Sequence, residues 1–463
     1  VRPRAGTPPI QHHSGVAKPS MKSGSILDKA PLILFVLSLC GLSFGYGILV
    51  HRNEIFPFAF LRDAIAGAKE LRLRVFGRPH TYWSRPTEHT TAIPIHLPDQ
   101  THASLSLVTS IDTGSILTVK VIDMDGEVIH QWQPDWFEIW PDPDFLEEYD
   151  RPVTRPGTHI HGTELLDDGD LVFNFEARSL VRLDPCGEVV WRLPYRTHHS
   201  IYRDEFDRLW VPGQINHEEP VARLPNHMPM FIEQTIIVVS LEGEILEEIS
   251  VMDLLYQNDL PGLLYMTTQR NATTKVSGDT LHLNDVEIFP SDREPGFFEA
   301  GDIMVSFRNI HAVLVFDGDT HKVKYSSIGE VVRQHDPDFL DADTISIFDN
   351  YLIGPDAQSR ILLQDVVDGE SRVHYTGTET APFFTNIMGK HQWLPNGNVL
   401  ITESRNGRAF EIDPAGEIVW EYVNIVDNGT RVGLVEEVQR LPGHFTEAFF
   451  RERARACGNP AAS

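Results

Sequence analysis

Cysteine and basic residues are scarce in this chain, and both shortages restrict what it can be. Its 463 residues include three cysteines, Cys40, Cys186 and Cys457, and none of them stands in a CxxC pair. This argues against a cysteine-based zinc site and against a disulfide scaffold. Lysine and arginine number 39 against 66 aspartate and glutamate, which gives a formal net charge of -27. We therefore expect no nucleic-acid partner, because phosphate binding needs a basic face.

One stretch lacks charge altogether. Residues 30–50, APLILFVLSLCGLSFGYGILV, are 21 uncharged positions, which is long enough to span a bilayer as a helix. The composition returns abruptly to polar residues on either side, so we interpret this stretch as a transmembrane signal anchor that follows a tail at residues 1–29. Three basic residues flank it on each side within about 20 positions, so charge alone does not orient it.

Residues 51–99 are predicted to form a short amphipathic helix and a linker. Between about residues 58 and 76 the apolar side chains follow helical spacing and the basic ones occupy other faces. The apolar positions are Phe58, Leu61, Ile65, Ala68, Leu71 and Val75. This helix could lie at a membrane interface or dock on the main domain.

A hairpin phrase recurs between residues 100 and 445. It combines an acidic residue, a turn, Gly-Glu and alternating apolar residues, at 122–132, 183–193, 239–249 and 412–422, with looser copies at 316–326 and 366–376. Each copy predicts two strands around a tight turn. Six copies at intervals of roughly 50–60 residues are typical of propeller blades. The sequence thus predicts an all-β, six-bladed β-propeller, preceded by the transmembrane helix and the amphipathic helix.

A second phrase, which begins with histidine, recurs in step with the first. In each copy a histidine opens a strand, a turn follows, and a second strand returns; these histidines are His161, His199, His282, His335 and His391. The first strand of each blade lines the channel of a propeller. We therefore expect the five rings to converge at one mouth of the channel. One such histidine would be structural more often than catalytic, but five in register indicate a functional cluster.

Clustered histidines serve either as metal ligands or in acid–base and nucleophilic catalysis. Arg308, in IMVSFRNIHAVLVF, lies on the strand after that of His282 and should face the same channel. A guanidinium opposes metal entry but suits a sulfate or phosphate ester, which its fork of donors can grip. It also lowers the pKa of nearby histidines and keeps them neutral. We therefore expect no metal, no cofactor and an anionic ester as substrate.

These motifs resemble those of the arylsulfotransferase family. HLNDV, GDIMVSFRN, QHDPDF, TISIFDN and HQWLPNGNVLITESRNGRAFEIDPAGEIVWEY stand in family order between about residues 105 and 425. The resemblance implies a bacterial propeller enzyme on the periplasmic or extracellular side of a membrane. Such an enzyme transfers a sulfuryl group from an aryl sulfate to a phenol without a nucleotide sulfate donor. The resemblance also implies a ping-pong route through sulfohistidine.

The resemblance implies roles for individual residues as well. His335 in QHDPDF matches the sulfated nucleophile, and His282 with Arg308 matches the pair that holds the sulfuryl group. His199, or its neighbour His198, matches a further catalytic histidine of the first blade. The remaining candidates for substrate binding are His161, His391, His198, Asn284 and Asn309.

Three further expectations concern single positions and the chain end. Asp336 directly follows His335, and successive strand residues point to opposite faces, so Asp336 is expected outside the channel. Cys186 and Cys457 could pair outside the cytoplasm, but the place of Cys186 in a hairpin turn favours free thiols. Residues 446–463 are expected to be a frayed C-terminal tail. The alternative to an enzyme is a membrane-anchored, non-catalytic propeller that binds small ligands or proteins.

Overall fold

The computed structural model describes residues 26–53, 56–57, 83–267 and 275–457. The chain divides into two units, residues 1–73 and 74–463. The first unit contains helix α1, Ile26–Asn53. Its segment Lys29–Val50 is long and apolar enough to cross a membrane or to serve as a signal anchor. The amphipathic helix predicted at 58–76 lies outside the described residues.

The second unit contains six sheets of four or five strands within the described residues. Sheet 1 consists of β29 (Val435–Arg440), β3 (Ser106–Asp112), β4 (Ile116–Ile122) and β5 (Val128–Trp132). Sheet 2 consists of β6 (Ile160–Leu165), β7 (Leu171–Phe175), β8 (Ser179–Leu183) and β9 (Val189–Leu193). Sheet 3 consists of β10 (Tyr202–Arg203), β11 (Arg208–His217), β12 (His227–Ser240) and β13 (Ile245–Ser250), with β14 (Val276–Gly278) beside β12.

The last three sheets continue this order. Sheet 4 consists of β15 (Leu283–Ile288), β16 (Ile303–Phe307), β17 (Ala312–Phe316) and β18 (Val323–Ile328). Sheet 5 consists of β19 (His335–Phe339), β20 (Thr344–Asp349), β21 (Arg360–Asp365) and β22 (Ser371–Thr376). Sheet 6 consists of β23 (Lys390–Trp393), β24 (Val399–Glu403), β25 (Arg408–Ile412) and β26 (Ile418–Val423), with β2 (Ile95–His96) beyond β26.

Short helices and a small sheet are the remaining elements among the described residues of this unit. The α-helices are α2 (Trp136–Ile139), α3 (Val251–Gln257) and α4 (Glu447–Ala456). The small sheet consists of β1 (Ser84–Pro86), β28 (Arg431–Gly433) and β27 (Ile425–Val426). The 3₁₀ helices are Thr113–Ser115, Glu148–Asp150, Pro261–Tyr265, Arg308–Ile310, Ser404–Asn406 and Asp427–Gly429.

The recurring Gly-Glu hairpins are the last two strands of the sheets. Four of their turn glycines, Gly126, Gly187, Gly243 and Gly416, have φ angles of 84° to 86°. This left-handed conformation is readily adopted only by glycine. The two looser copies form the hairpins β17–β18 and β21–β22. The repeat in the sequence is therefore the outer hairpin of each sheet.

Hydrophobic clusters join the six sheets into a ring. The clusters lie between sheets 1 and 2, 2 and 3, 3 and 4, 4 and 5, and 5 and 6. A sixth cluster packs Trp420 of sheet 6 against Val435 of sheet 1. Because β29 comes from the end of the chain and pairs with β3, the last strand closes the ring. The predicted all-β propeller fold is confirmed, and these sheets are its blades.

The C-terminal segment contains an ordered helix, so the expectation of a frayed tail is wrong for residues 447–457. Phe450 of helix α4 is fully buried in the core between blades 1 and 2. Cys457 follows this helix and forms a disulfide with Cys186, with the two Cα atoms 5.4 Å apart. The expectation of free thiols is therefore also wrong. The pairing joins residues separated by 271 positions, which a local turn pattern cannot reveal.

Candidate active site

Five histidine rings contributed by blades 2 to 5 meet where the inner strands begin. His199 lies at the centre of this group. Its ring centroid is 3.9 Å from that of His161, 4.9 Å from that of His282 and 6.3 Å from that of His335. The ring of His198 lies 5.1 Å from that of His199. We call these five residues the histidine cluster.

Irregular backbone aims these rings into the channel. His199 and His282 have φ angles of 57° and 56°, a left-handed conformation that costs energy in a residue other than glycine. The pairing register shifts between Leu283 and Asp285 in blade 4, and between His335 and Pro337 in blade 5. Such bulges re-aim side chains and occur often beside active sites. Regular strand alternation therefore fails at this end of the channel.

Asp336 shares the channel with His335, so the expectation that it points to the outer side is wrong. The bulge gives Asp336 a φ of 50° and turns its carboxylate toward blade 6. There it lies 2.8 Å from Lys390 Nζ and 2.9 Å from His391 Nδ1. Burial opposes a charge on Asp336, but the Lys390 ammonium and the His391 ring together outweigh burial and hold the pKa of Asp336 below its usual range.

His391 faces a different part of the channel from the histidine cluster. Its ring contacts Asp336, and its Nε2 lies 2.8 Å from Ser346 Oγ. It lines a cavity of about 440 Å³. Its strand β23 pairs with β24 without a bulge, so nothing turns the ring toward the cluster. Of the five histidines expected to converge, the structure brings four together and leaves His391 apart.

Asn350 determines which nitrogen of His335 carries the proton. The Asn350 amide nitrogen donates to the carbonyls of Thr385 at 2.9 Å and Met388 at 2.8 Å. Its amide oxygen therefore faces His335 Nδ1, at 2.7 Å. An amide oxygen only accepts hydrogen bonds, so Nδ1 carries the hydrogen and Nε2 keeps a lone pair. Burial, and then the Arg308 guanidinium, hold the pKa of His335 well below its usual range.

Carboxylates pair with two other rings of the cluster. His161 Nδ1 lies 2.9 Å from Glu176 Oε2, and His282 Nδ1 contacts Asp279 Oδ2. Burial opposes a charge on His161, but the carboxylates of Glu176 and Glu436 together outweigh burial and raise the pKa of His161. Likewise burial opposes a charge on Asp279, but His282, His198 and Arg308 together outweigh burial and lower the pKa of Asp279. The cluster thus contains rings with carboxylate partners and a ring, His335, with a neutral partner.

His198 and His199 are held in the neutral form. Their Nδ1 atoms lie 2.9 Å apart. Burial lowers the pKa of His198 to about 4, and burial with the neighbouring His161 ring holds the pKa of His199 well below its usual range. The Nε2 atoms of both residues are buried and have no hydrogen-bond partner among the residues that the structure describes. Such atoms are costly to bury, and they could bond to a group that enters the site.

Arg308 lies beside the cluster at the turn that follows β16. Its backbone N–H donates to the carbonyl of His282 at 3.1 Å. Its guanidinium contacts Asn309 Oδ1 at 3.4 Å, and the Asn309 amide nitrogen donates to the carbonyl of Asp279 at 2.9 Å. Asn309 therefore ties Arg308 to the His282–Asp279 pair. The turn that contains Arg308 and Asn309 thus contacts the backbone of both His282 and Asp279.

A small cavity of about 10 Å³ lies at the cluster, with room for roughly one water. It is lined by His161, His199, Asn284, His335, Asp336, Met388, Gly389, Lys390 and Glu436. The Asn284 amide nitrogen donates to the carbonyl of Gln334 at 2.8 Å, while its buried amide oxygen has no hydrogen-bond partner within the described parts of the chain. The 440 Å³ cavity adjoins this one, because Asp336 and Lys390 line both.

The larger cavity has a different lining from the histidine cluster. Its carboxyl groups belong to Asp285, Glu287, Asp336, Asp338 and Glu437, and the cations Arg293 and Lys390 line it as well. Burial raises the pKa of Asp285 to about 6 and raises the pKa of Glu287 and Asp338 well above the ordinary range. These raised pKa values favour the neutral form of the carboxyl groups, whereas the histidine end has the Arg308 guanidinium, which suits an anion.

Sequence reasoning missed the partners of the histidines. Asn350, Asp279 and Glu176 were not expected to contribute to the site, and neither was Lys390. One pattern in the sequence could have pointed to a neighbour of His161. His159 is two positions away from it, and residues two apart in a strand share a face. The other partners come from different strands or loops, and only the closed ring brings them to the rings they contact.

Comparison with known proteins places the chain in a family. The arylsulfotransferase (ASST) family model matches residues 162–425, and no curated protein matches the chain. One similar solved structure is a protein of unknown function from Bacteroides caccae, with 12% identity, a TM-score of 0.43, and coverage of 72% of this chain and 98% of that one. Another is the WD40 propeller domain of Doa1, with 11% identity, a TM-score of 0.38, and coverage of 78% and 100%. The family match spans more than half of the chain and all of blades 3 to 5, and the chain belongs to the arylsulfotransferase family.

Proposed function

We propose that this protein transfers a sulfuryl group from an aryl sulfate to a phenolic acceptor through a covalent intermediate on His335. The observation that carries the proposal is the contact between Asn350 and His335 Nδ1 at 2.7 Å. It gives a neutral ring with a lone pair on Nε2, which is the form of histidine that acts as a nucleophile. Membership of the arylsulfotransferase family supports the reaction class.

In the first half-reaction, His335 Nε2 attacks the sulfur, an N–S bond forms, and the ester S–O bond breaks as the phenol leaves. Arg308 and His282 bind the sulfuryl oxygens, because charge-assisted donors are the strongest partners for an anion. Donors aimed at charge that develops in the transition state typically lower the barrier most. His199, His198, Asn284 and Asn309 complete the polar surroundings.

The Met388 backbone N–H has to leave Nε2 before attack, since it donates to that lone pair at 3.3 Å. A sulfuryl group on Nε2 would place an oxygen where this N–H can donate to it instead. We therefore assign the amide of Met388 to the sulfuryl group in the intermediate. The small cavity has to widen at the same time, because about 10 Å³ does not hold a sulfuryl group.

In the second half-reaction, a phenol oxygen attacks the sulfur of the sulfohistidine and the electron pair of the N–S bond returns to Nε2. Asn350 suits this step, because an amide oxygen cannot remove the proton from Nδ1. The ring then leaves as a neutral imidazole rather than as an anion. A neutral partner for His335 thus keeps the intermediate reactive.

We also propose that the propeller lies outside the cytoplasm and is anchored through residues 30–50. The Cys186–Cys457 disulfide supports this location, because disulfides persist in oxidising compartments and are rare in the cytosol. The helix segment Lys29–Val50 supports the anchor. The side of the membrane can be tested by protease accessibility of the propeller in intact cells.

The test of the reaction uses 4-nitrophenyl sulfate as donor and phenol as acceptor, with release of nitrophenolate as the readout. We expect His335→Ala to abolish transfer and to retain the circular dichroism spectrum and melting temperature of the wild type. Mass spectrometry after donor alone should find about 80 Da, one sulfuryl group, on the peptide that contains His335. A label on another residue of an active enzyme would refute the assignment. A folded wild type that neither turns over nor becomes labelled would favour the non-catalytic binding propeller.

A further inference from the structure

We infer that His161, held by Glu176, is the general acid of the first half-reaction and the general base of the second, an inference that rests on the proposed sulfuryl transfer. Neither residue belongs to the Arg308–His282 group that binds sulfuryl oxygens. His161 is thereby assigned to the bridging oxygen of the ester, to which it donates a proton as the leaving group departs.

The geometry of His161 fits a proton donor at the nucleophile's own cavity. Its Nδ1 is occupied by Glu176 Oε2 at 2.9 Å, which leaves Nε2 as the nitrogen that can exchange a proton with substrate. His161 and His335 both line the cavity of about 10 Å³, which has room for about one water. We assign the leaving oxygen of a sulfuryl group on His335 to the part of this cavity that His161 lines.

The charged surroundings of His161 support the protonated form of its ring. The charged and titratable groups around it are Glu176, Glu436, Lys390, His159, His198, His199 and His335. His159 is itself paired with Glu436, through its Nδ1 at 2.6 Å. Glu176 is therefore the carboxylate that pairs directly with His161. Burial of the Glu176 carboxylate would be costly if the His161 ring beside it were not protonated. The raised pKa of His161 is consistent with this pairing.

His282 is the competing candidate, because its Nδ1 is also paired with a carboxylate, that of Asp279. Its backbone carbonyl, however, accepts from the N–H of Arg308, and Asn309 links Arg308 to the Asp279 backbone. His282 therefore lies on the side of the cluster that carries the guanidinium. That side suits the non-bridging oxygens, whose negative charge persists through the reaction.

The proposed proton transfers balance in both halves of the reaction. As the S–O bond breaks, its electron pair goes to the phenolic oxygen, which takes the proton from His161 Nε2 and leaves as the phenol. His161 is then neutral. It next accepts the proton of the acceptor phenol as that oxygen attacks the sulfur of the intermediate on His335. The cycle ends with His161 protonated and His335 neutral, as at the start.

The experiment compares donors whose leaving phenols differ in acidity, from 4-nitrophenyl sulfate to phenyl sulfate and 4-methoxyphenyl sulfate, at one fixed acceptor concentration. A nitrophenolate leaves without help, whereas an unactivated phenolate needs protonation, and general acids contribute typically 10²- to 10⁴-fold. We expect Glu176→Gln to lower kcat/KM about tenfold or less with 4-nitrophenyl sulfate. With phenyl sulfate we expect a loss of about a hundredfold or more.

Asp279→Asn is the matched control, since it removes the carboxylate from the other paired ring by the same isosteric change. We expect it to lower kcat/KM by a similar factor for every donor, as loss of oxygen binding should. A uniform loss in Glu176→Gln with a leaving-group-dependent loss in Asp279→Asn would overturn the inference in favour of His282. A uniform loss in both folded variants would also overturn it.

Two other outcomes separate this inference from the proposed function and from metal binding. A wild type without transfer or label would overturn the sulfuryl transfer and this inference together, whereas an active wild type with uniform variant losses overturns only the inference. His159, His161 and Glu176 also offer ligand atoms within 4.8 Å of one another. One zinc ion per chain in the purified protein, lost in Glu176→Gln, would show that His161 and Glu176 bind a metal. It would refute the assignment of His161 as the general acid.

Discussion

The Nε2 atom of His335 accepts a hydrogen bond from the backbone N–H of Met388 at 3.3 Å. This contact depends on an unusual backbone, since Met388 has a φ of 63° and the next residue, Gly389, has a φ of 113°. The Asn350 amide nitrogen also donates a hydrogen bond to the Met388 carbonyl. One short segment before β23 therefore controls access to the lone pair of the proposed nucleophile.

Gly389→Ala should disrupt this segment. A Cβ at Gly389 would lie 2.4 Å from atoms of the Phe348 ring, whereas a Cβ at Gly397 would meet only Pro414 Cγ, at 3.8 Å. Gly397→Ala, at a φ of 86°, therefore isolates the backbone cost of roughly 1–2 kcal/mol. We expect Gly389→Ala to lose clearly more stability in urea unfolding, and to lose transfer activity while folded. Equal losses in the two variants would contradict the packing argument.

Asn350→Asp should move the pH dependence of transfer. A carboxylate in place of the neutral amide would favour the charged imidazolium, so the pKa of His335 should rise from its depressed value. The protonated ring has no lone pair, and the acid limb of the kcat/KM profile should shift upward by about one pH unit or more. The pH–rate profile of 4-nitrophenyl sulfate cleavage measures this shift. An unchanged acid limb in a folded variant would argue against Asn350 as the residue that sets the state of His335.

Arg308→Lys should retain the positive charge but lose the two-pronged grip on the sulfuryl oxygens. We expect kcat/KM to fall roughly tenfold to a hundredfold, below the loss for complete removal of such a donor. Arg372→Lys makes the same change at an exposed position on β22 and should leave kcat/KM unchanged. Full activity of Arg308→Lys would mean that charge alone suffices at this position.

Removal of the disulfide should weaken the attachment of helix α4. The double variant Cys186→Ser, Cys457→Ser should lose about 2–4 kcal/mol of unfolding free energy, with Cys40→Ser as the unaffected control. Thiol labelling under denaturing, non-reducing conditions should find one free cysteine per chain in the wild type, since Cys40 is free. Three labelled cysteines would show that the bond does not form in the purified protein.

Glu164 should make stability depend on pH. Burial raises its pKa to about 8, so the folded state holds a proton that the unfolded chain releases near its ordinary pKa. The stability that this proton provides is complete below that ordinary pKa and is lost as the pH rises toward 8 and above. Glu164→Gln should match the wild type at pH 4, below the ordinary pKa of the carboxyl group, and should be the more stable of the two at pH 9. Parallel pH dependences of unfolding in the two proteins would contradict the raised pKa.

The sequence determined the parts of this protein that depend on local pattern. The Gly-Glu hairpins are visible because a tight turn needs a particular φ at glycine, as at Gly126 and Gly416, and because strand faces alternate. The second repeat, which begins with histidine, predicted that residues such as His161 and His335 lie at the start of inner strands. Their approach to one another followed from closure of the ring, which a repeat of blades implies.

Only the tertiary structure decided how each of these histidines is used. Alternation predicted Asp336 on the outer side, but a bulge and a positive φ turned it inward. The proton on His335 is assigned by Asn350, 15 positions away, and the helix after β29 is tied to the hairpin of blade 2 through Cys186. Hydrogen-bond partners and disulfides depend on distances between segments that are remote in the chain. Those distances are fixed by the packing between blades, which no local pattern in the sequence records.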